Sequence, residues 1–259
     1  MISTSLFDLT GKVVLLTGAS KGMGRAMAEA LALHGANVMI SSRKLAACET
    51  AAAEINAKCG AERAKAFACN AGYKDQLQAL VDATHAAFGP IDVLIGNAGV
   101  NPFYGPMSKI PDEAYDKIMA TNVRSNHWLV QMVAPDMLAK GSGSIMITSS
   151  TGAFAPSLTI GAYNISKLAV IGLCRNLAAE LGPSGVRVNA ICPGLIRTDS
   201  AEALWNNPEA EQRAREQIPL RRLGEADDLG GLAVFLASDS SAYITGQALT
   251  VCGGSNMWS

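Results

Sequence analysis

Tyr163 and Lys167 stand four residues apart in a stretch with helical periodicity, so one face of that helix would carry a phenol and an ammonium together. A tyrosine that titrates near 10 is a poor base at neutral pH. Bringing it to about 7 needs roughly 4 kcal/mol of preferential stabilisation of the phenolate, and a nearby cation is the usual source of it. Ser150, at the end of an apolar run upstream of Tyr163, adds a hydroxyl able to steady a developing oxyanion. Such a set suits proton transfer to and from a substrate oxygen. A single Tyr-x-x-x-Lys spacing arises readily by chance, so it carries weight only with other motifs.

A second candidate site is Thr17-Gly18-Ala19-Ser20-Lys21-Gly22-Met23-Gly24, which follows an apolar run and opens a helical pattern. Glycines allow a sharp turn and close approach to a pyrophosphate, and the free N–H groups and dipole of the next helix attract its charge. The alternative is a plain strand-to-helix turn, since the spacing departs from the G-x-G-x-x-G fingerprint.

The elements that must position these residues are legible in the alternation of the chain. Short apolar runs at 13–16, 38–40, 64–69, 91–95, 144–148, 186–191 and 248–251 read as strands. Helical patterns lie between them at 22–34, 44–58, 73–88, 112–139, 162–181 and 226–237. This predicts a doubly wound α/β Rossmann fold, a seven-stranded parallel sheet with helices on both faces. The runs are continuously apolar rather than alternating, as strands buried on two sides should be. One stretch, 193–225, interrupts the pattern with short helical pieces near 201–205 and 209–216, and structured loops of that length are commonly lids.

Composition limits the alternatives. At 259 residues with 49% hydrophobic content, the chain suits a single domain, 1–259. Its net charge of -1 and scattered basic residues provide no field for nucleic acid or an anionic membrane. The first residues lack the features of a leader, and no run reaches the apolar length of a membrane span, so the expected location is cytoplasmic. Six cysteines show no C-x-x-C pair, which fits reduced thiols. Three histidines form no ligand spacing, so no metal is expected. Gly141-Ser142-Gly143-Ser144 lacks the second flanking glycine of a nucleophile elbow and precedes a strand rather than following one, which argues against hydrolase chemistry.

The ordered set is far more specific than its parts. T-G-x-x-x-G-x-G, Asn97-Ala98-Gly99, Asn122, Ser150, Tyr163-Asn164-Ile165-Ser166-Lys167, Pro193-Gly194 and Tyr243-Ile244-Thr245-Gly246 run through the chain. In that order they resemble the short-chain dehydrogenase/reductase family, most closely its NADPH-dependent carbonyl and retinal reductases. The resemblance implies hydride transfer between a nicotinamide cofactor and a ketone, aldehyde or secondary alcohol, with Tyr163 as acid/base. It implies that Lys167 serves both the phenol and the ribose, and that Ser150 polarises the substrate oxygen. Asn122 would anchor a water relay behind Lys167, completing the catalytic set. Asn97, Ala98 and Gly99 would lie along the adenosine side, while Pro193, Gly194, Ile196 and Thr198 would hold the carboxamide end of the nicotinamide. β-Ketoacyl reductases and sugar-alcohol dehydrogenases are alternatives within the family. A nicotinamide-sensing protein without turnover is an alternative outside its catalytic members. Family members are often tetramers, so a homotetramer built on 112–139, 162–181 and the C-terminal strand is expected.

The second strand ends in Ser41-Ser42-Arg43, without the acidic residue that would bind an NAD ribose. Ser41, Ser42, Arg43 and Lys21 can instead donate to a 2′-phosphate, which points to NADP(H). The alternative makes Arg43 a solvated charge at a helix start. Asn70 stands where the family has an adenine-binding Asp, and its amide oxygen can accept the same bond. Gly96 and Cys252 also depart from the pattern, at places remote from the chemistry. For substrate contact the candidates are Asn101, Phe103, Ser150, Phe154, Leu195 and Trp205, with Tyr104 and Thr159 beside them. Each aromatic could equally belong to the core.

Overall fold

The protein is described by a computed structural model over residues 6–198 and 207–257. Strands β1 (Val13–Thr17), β2 (Asn37–Ser42), β3 (Ala64–Ala68), β4 (Val93–Gly96), β5 (Gly143–Thr148), β6 (Val186–Pro193) and β7 (Ala248–Val251) form one sheet in the order β3-β2-β1-β4-β5-β6-β7. Every pairing is parallel. The seven-stranded doubly wound sheet expected from the alternation is therefore present.

Successive side chains of a strand point to opposite faces, and β1 shows the result. Val13 and Leu15 enter one core with Leu77, Val130, Met137 and Val170. Val14 and Leu16 enter the other with Met27, Leu31, Cys48 and Leu236. The first core belongs to α3 (Lys74–Phe88), α5 (Ser125–Lys140) and α6 (Gly161–Leu181), the second to α1 (Gly22–Leu33), α2 (Leu45–Cys59) and α8 (Gly230–Ala237). Burying a Leu or Val on either side contributes about 1.5–3 kcal/mol, so a continuously apolar strand is stabilised only when both faces are covered.

Two elements differ from expectation in kind. The helix predicted over 112–139 consists of α4 (Asp112–Met119), a π turn at Ala120–Arg124, and α5. Side chains explain the break: the Ser125 hydroxyl donates to the Thr121 carbonyl at 2.6 Å and Asn126 Nδ2 to the Asn122 carbonyl at 2.8 Å, competing with the backbone for those acceptors. Such π turns commonly sit at functional sites. The helix predicted over 226–237 opens with a 3-10 turn, Ala226–Leu229, held by a capping box between Glu225 and Asp228, before α8 begins. β4 starts at Val93, later than expected, because the Ile91 N–H is taken by the Asp136 carboxylate at 2.8 Å. Within 193–225, α7 (Pro208–Gln217) is capped by Asn207. The helical piece placed at 201–205, with Trp205, lies outside the described residues.

Candidate active site

Parallel strands deliver their carboxyl ends to one edge, and here the order turns outward between β1 and β4. That crevice is where open α/β sheets bind ligands. Three strand ends are tied together there. Thr17 Oγ1 accepts the N–H groups of Asn97 and Ala98 at 3.1 and 3.2 Å. Asn97 Nδ2 donates to the Gly18 carbonyl at 2.9 Å, and Thr148 Oγ1 donates to Asn97 Oδ1 at 3.1 Å. Asn97 thus acts as a clamp between the strand ends. Thr17, which opens the glycine motif, and Thr148 complete it; Thr148 was not singled out in the sequence, and its position as the last residue of β5 was the available signal.

The glycine turn is shaped for close approach. Gly18 and Gly22 adopt φ of +64° and +57°, left-handed values that side chains disfavour. A methyl group on Gly22 would come within 3.3 Å of Thr198 Cγ2, so the turn faces the segment after β6 across a gap that a side chain would fill. Lys21 stands at the N-cap of α1 but its side chain does not cap the helix, and no acid occupies the first turn. Ser20 and Met23 belong to this same turn and are partly exposed. These features fit a pyrophosphate.

At the end of β2 the three candidates separate. Ser41 is buried and its hydroxyl donates to the Leu16 carbonyl at 3.0 Å, so this side chain faces into the sheet and is withdrawn from any phosphate, contrary to expectation. Ser42 is partly exposed, accepting the Cys48 thiol at 3.1 Å and the Lys44 N–H at 3.4 Å. Arg43 is exposed and makes no hydrogen bond or ion pair with any described residue. Asn70 Oδ1 already accepts the Gly72 N–H at 3.1 Å in its own turn, leaving one lone pair for a further donor.

Tyr163 and Lys167 share the inward face of α6. Lys167 Nζ lies 5.4 Å from the centre of the Tyr163 ring and donates to the Thr148 carbonyl at 2.8 Å. Burial lowers Lys167 to about 8. It pushes the Tyr163 phenol up to about 12, against a smaller lowering by the Ser150 hydroxyl and a further rise from Tyr104. The expectation that the Lys167 ammonium, together with the oxidised nicotinamide ring, favours the phenolate concerns the cofactor-bound site; among the protein's own groups desolvation is the largest influence on the phenol. Tyr163 is held as an acid. Ser150 Oγ also caps the short turn Thr151–Phe154 by accepting the Gly152 N–H at 3.0 Å.

Asn122 occupies the π turn and both N–H groups of its amide are used. Oδ1 accepts the Val100 N–H at 2.8 Å, while Nδ2 donates to the Val100 carbonyl and to Ser166 Oγ, both at 3.0 Å. It therefore acts on the site by joining the loop after Gly99 to the helix of Tyr163. A methyl on Gly99 would lie 3.3 Å from Lys167 Nζ and 3.4 Å from Asn122 Oδ1, which places these three residues side by side.

A pocket opens beside the phenol, lined by Asn101, Phe103, Met107, Thr159, Ile160 and Tyr163 among others. Asn101, Phe103 and Thr159 were anticipated, whereas Met107 and Ile160 were not, because only folding brings their loops together, with the Gly105 N–H donating to the Thr159 carbonyl at 2.8 Å. Phe154 packs against the core instead, and Leu195 lies outside this lining, its carbonyl accepting the Gly224 N–H at 3.0 Å. Pro193 and Gly194 pair with Val251, and Ile196 is buried against Gly224. Among the described residues no helix is long and apolar enough to cross a membrane.

Comparison with known proteins decides the family. The profile of the family described as "Enoyl-(Acyl carrier protein) reductase" matches residues 18–256. The chain is 38% identical over 247 residues to "Dehydrogenase/reductase SDR family member 4" of Bos taurus, covering 95% of this chain and 88% of the relative. The chain belongs to the short-chain dehydrogenase/reductase family. Solved members of similar shape include a 7α-hydroxysteroid dehydrogenase complexed with NADH and 7-oxo glycochenodeoxycholic acid, with TM-score 0.93 and 35% identity, covering 98% of both chains. A gluconate 5-dehydrogenase from Burkholderia cenocepacia, in complex with NADP and tartrate, has TM-score 0.90 and 30% identity over 96% of this chain and 97% of its own. This short-chain dehydrogenase/reductase is accordingly an oxidoreductase whose family works with a nicotinamide cofactor.

Proposed function

We propose that this oxidoreductase uses NADP(H) to interconvert a ketone or aldehyde with the corresponding alcohol, with Tyr163 as the acid/base. The observation that carries the reading is Tyr163 itself: its phenol lines a pocket with Asn101, Phe103 and Ile160, adjoins Ser150, and is kept protonated by burial. A bound nicotinamide supplies or accepts the hydride. In reduction, Tyr163 donates its proton to the carbonyl oxygen and Ser150 steadies that oxygen as charge develops. Lys167, anchored on Thr148, presents its ammonium to the ribose and to the phenol. Arg43 and Ser42 receive the 2′-phosphate, the turn 18–24 the pyrophosphate, Asn70 and Ala98 the adenosine side, and 193–198 the carboxamide. Residues 193–225 cover the substrate, braced by Arg197, which pairs with Glu211 at 2.7 Å and Glu225 at 3.3 Å. The proposal includes one catalytic domain in a reducing, cytoplasmic setting, supported by six cysteines that are all free.

The test is NADPH oxidation with a panel of ketones, aldehydes, ketoacyl thioesters, polyols and one enoyl thioester. Tyr163→Phe should lose at least about 100-fold in turnover while NADPH binding stays near wild type. Substantial turnover in that variant removes Tyr163 from the mechanism. Preference for the enoyl thioester would replace carbonyl reduction with reduction of a double bond, and NADPH binding with no turnover at all would favour a sensor.

A further inference from the structure

The wall of the pocket beside Tyr163 is mostly apolar, formed by Phe103, Met107, Ile110 and Ile160. Asn101 interrupts it. Asn101 Oδ1 is buried and has no hydrogen-bond partner among the described residues. A buried amide oxygen left unpaired is costly, and native folds rarely keep one without a use. The placement of Asn101 is also firm. The preceding Val100 has both its N–H and its carbonyl held by Asn122, which also bonds Ser166 Oγ, and Ser166 Oγ donates to the Tyr163 carbonyl at 2.7 Å. An unbroken series of hydrogen bonds therefore sets the residue before Asn101 relative to the helix that carries the acid.

We infer that Asn101 selects carbonyl substrates bearing a hydrogen-bond donor, a hydroxyl or an amide N–H, within a few bonds of the reacting carbon. An unpaired acceptor in an apolar wall rewards a donor and penalises a substrate without one, because the second leaves the oxygen desolvated and unmatched. The substrate class is that of hydroxy ketones and hydroxy aldehydes rather than plain hydrocarbon ketones. The inference rests on the reading of Tyr163 as the acid.

The experiment compares hydroxyacetone, methoxyacetone and butanone as substrates, with NADPH saturating. Wild type should prefer hydroxyacetone over butanone in kcat/KM by roughly 5- to 150-fold, and methoxyacetone, which has no donor, should behave like butanone. Asn101→Leu should bring the ratio near one, whereas Asn101→Asp, which still accepts, should keep most of it. NADPH fluorescence titration on both variants reports that the fold and cofactor site are intact. Equal wild-type rates on hydroxyacetone and butanone, or a Leu variant that keeps the preference, overturns this inference alone. No turnover with any carbonyl overturns the reading of Tyr163 and this inference with it.

Discussion

Lys167 Nζ donates to the Thr148 carbonyl at 2.8 Å while lying 5.4 Å from the centre of the Tyr163 ring. The ammonium is thus aimed by the end of β5, and its charge is available to the phenol and to a ligand without being spent on a carboxylate.

Burial lowers Lys167 to about 8 and raises Tyr163 to about 12, and the two shifts have opposite consequences for activity. Tyr163 keeps its proton up to about 12, so it causes no alkaline loss of reduction near pH 8, whereas oxidation, which needs the phenolate, should accelerate as pH rises. Lys167 is charged below about 8 and loses that charge above it. NADPH affinity, read by fluorescence titration, should therefore fall as pH increases from 7 to 10. Lys167→Met should bind NADPH more weakly and without this dependence, and should also lose turnover. A flat wild-type profile, or a Met variant changed in rate alone, contradicts the dual role.

Cofactor preference should follow Arg43, the exposed guanidinium with no partner among the described residues. A charge-assisted bond to a 2′-phosphate contributes about 1.5–3 kcal/mol, which is roughly 10- to 150-fold in favour of NADP(H). Arg43→Ala should erase most of it. Ser42→Asp should reverse the preference, since a carboxylate repels phosphate and accepts from ribose hydroxyls. Ser41→Ala should leave the ratio unchanged, because that hydroxyl is committed to Leu16. The ratio of kcat/KM for the two cofactors decides; a wild-type ratio near one refutes the reading of this strand end.

Gly24 is a packing requirement. A methyl there would collide with the Gly18 carbonyl and come 2.6 Å from Asn97 Nδ2, breaking the clamp that unites β1, β4 and β5. Gly24→Ala should cost about 1–3 kcal/mol, which is several degrees in Tm for a chain of this size, and should weaken NADPH binding. Gly231→Ala, where nothing lies within 4 Å, should be neutral or raise Tm slightly. Equal melting curves for the two variants would show that the close approach at Gly24 is immaterial.

The outward surfaces of α5 and α6 carry Leu138, Ile165 and Leu168 at 43%, 41% and 53% exposure. Apolar side chains of that size on two long helices favour self-association, with a homotetramer as the expected outcome. Light scattering should show four chains, and Leu168→Glu should yield smaller species that keep the secondary structure. A wild-type monomer at micromolar concentration disproves this.

Local spacing determined what local geometry alone can determine. The i,i+4 relation of Tyr163 and Lys167, the glycine turn between β1 and α1, and the alternation of strands and helices follow from neighbours in the chain, so they could be read from residue order. Residue order did not decide which face a strand hydroxyl takes. Ser41 and Ser42 look equivalent in sequence, yet the pleat turns Ser41 inward to Leu16 and leaves Ser42 at the rim. Nor could it show that Asn122 spends its amide on Val100 and Ser166, or that side chains open α4 into a π turn, because those partners are supplied by packing across elements. The desolvation that raises the phenol is likewise invisible in residue order, because it exists only once α6 is buried against the sheet. Asn101 is the clearest case, since only the folded chain buries its amide oxygen and leaves it without a partner among the described residues.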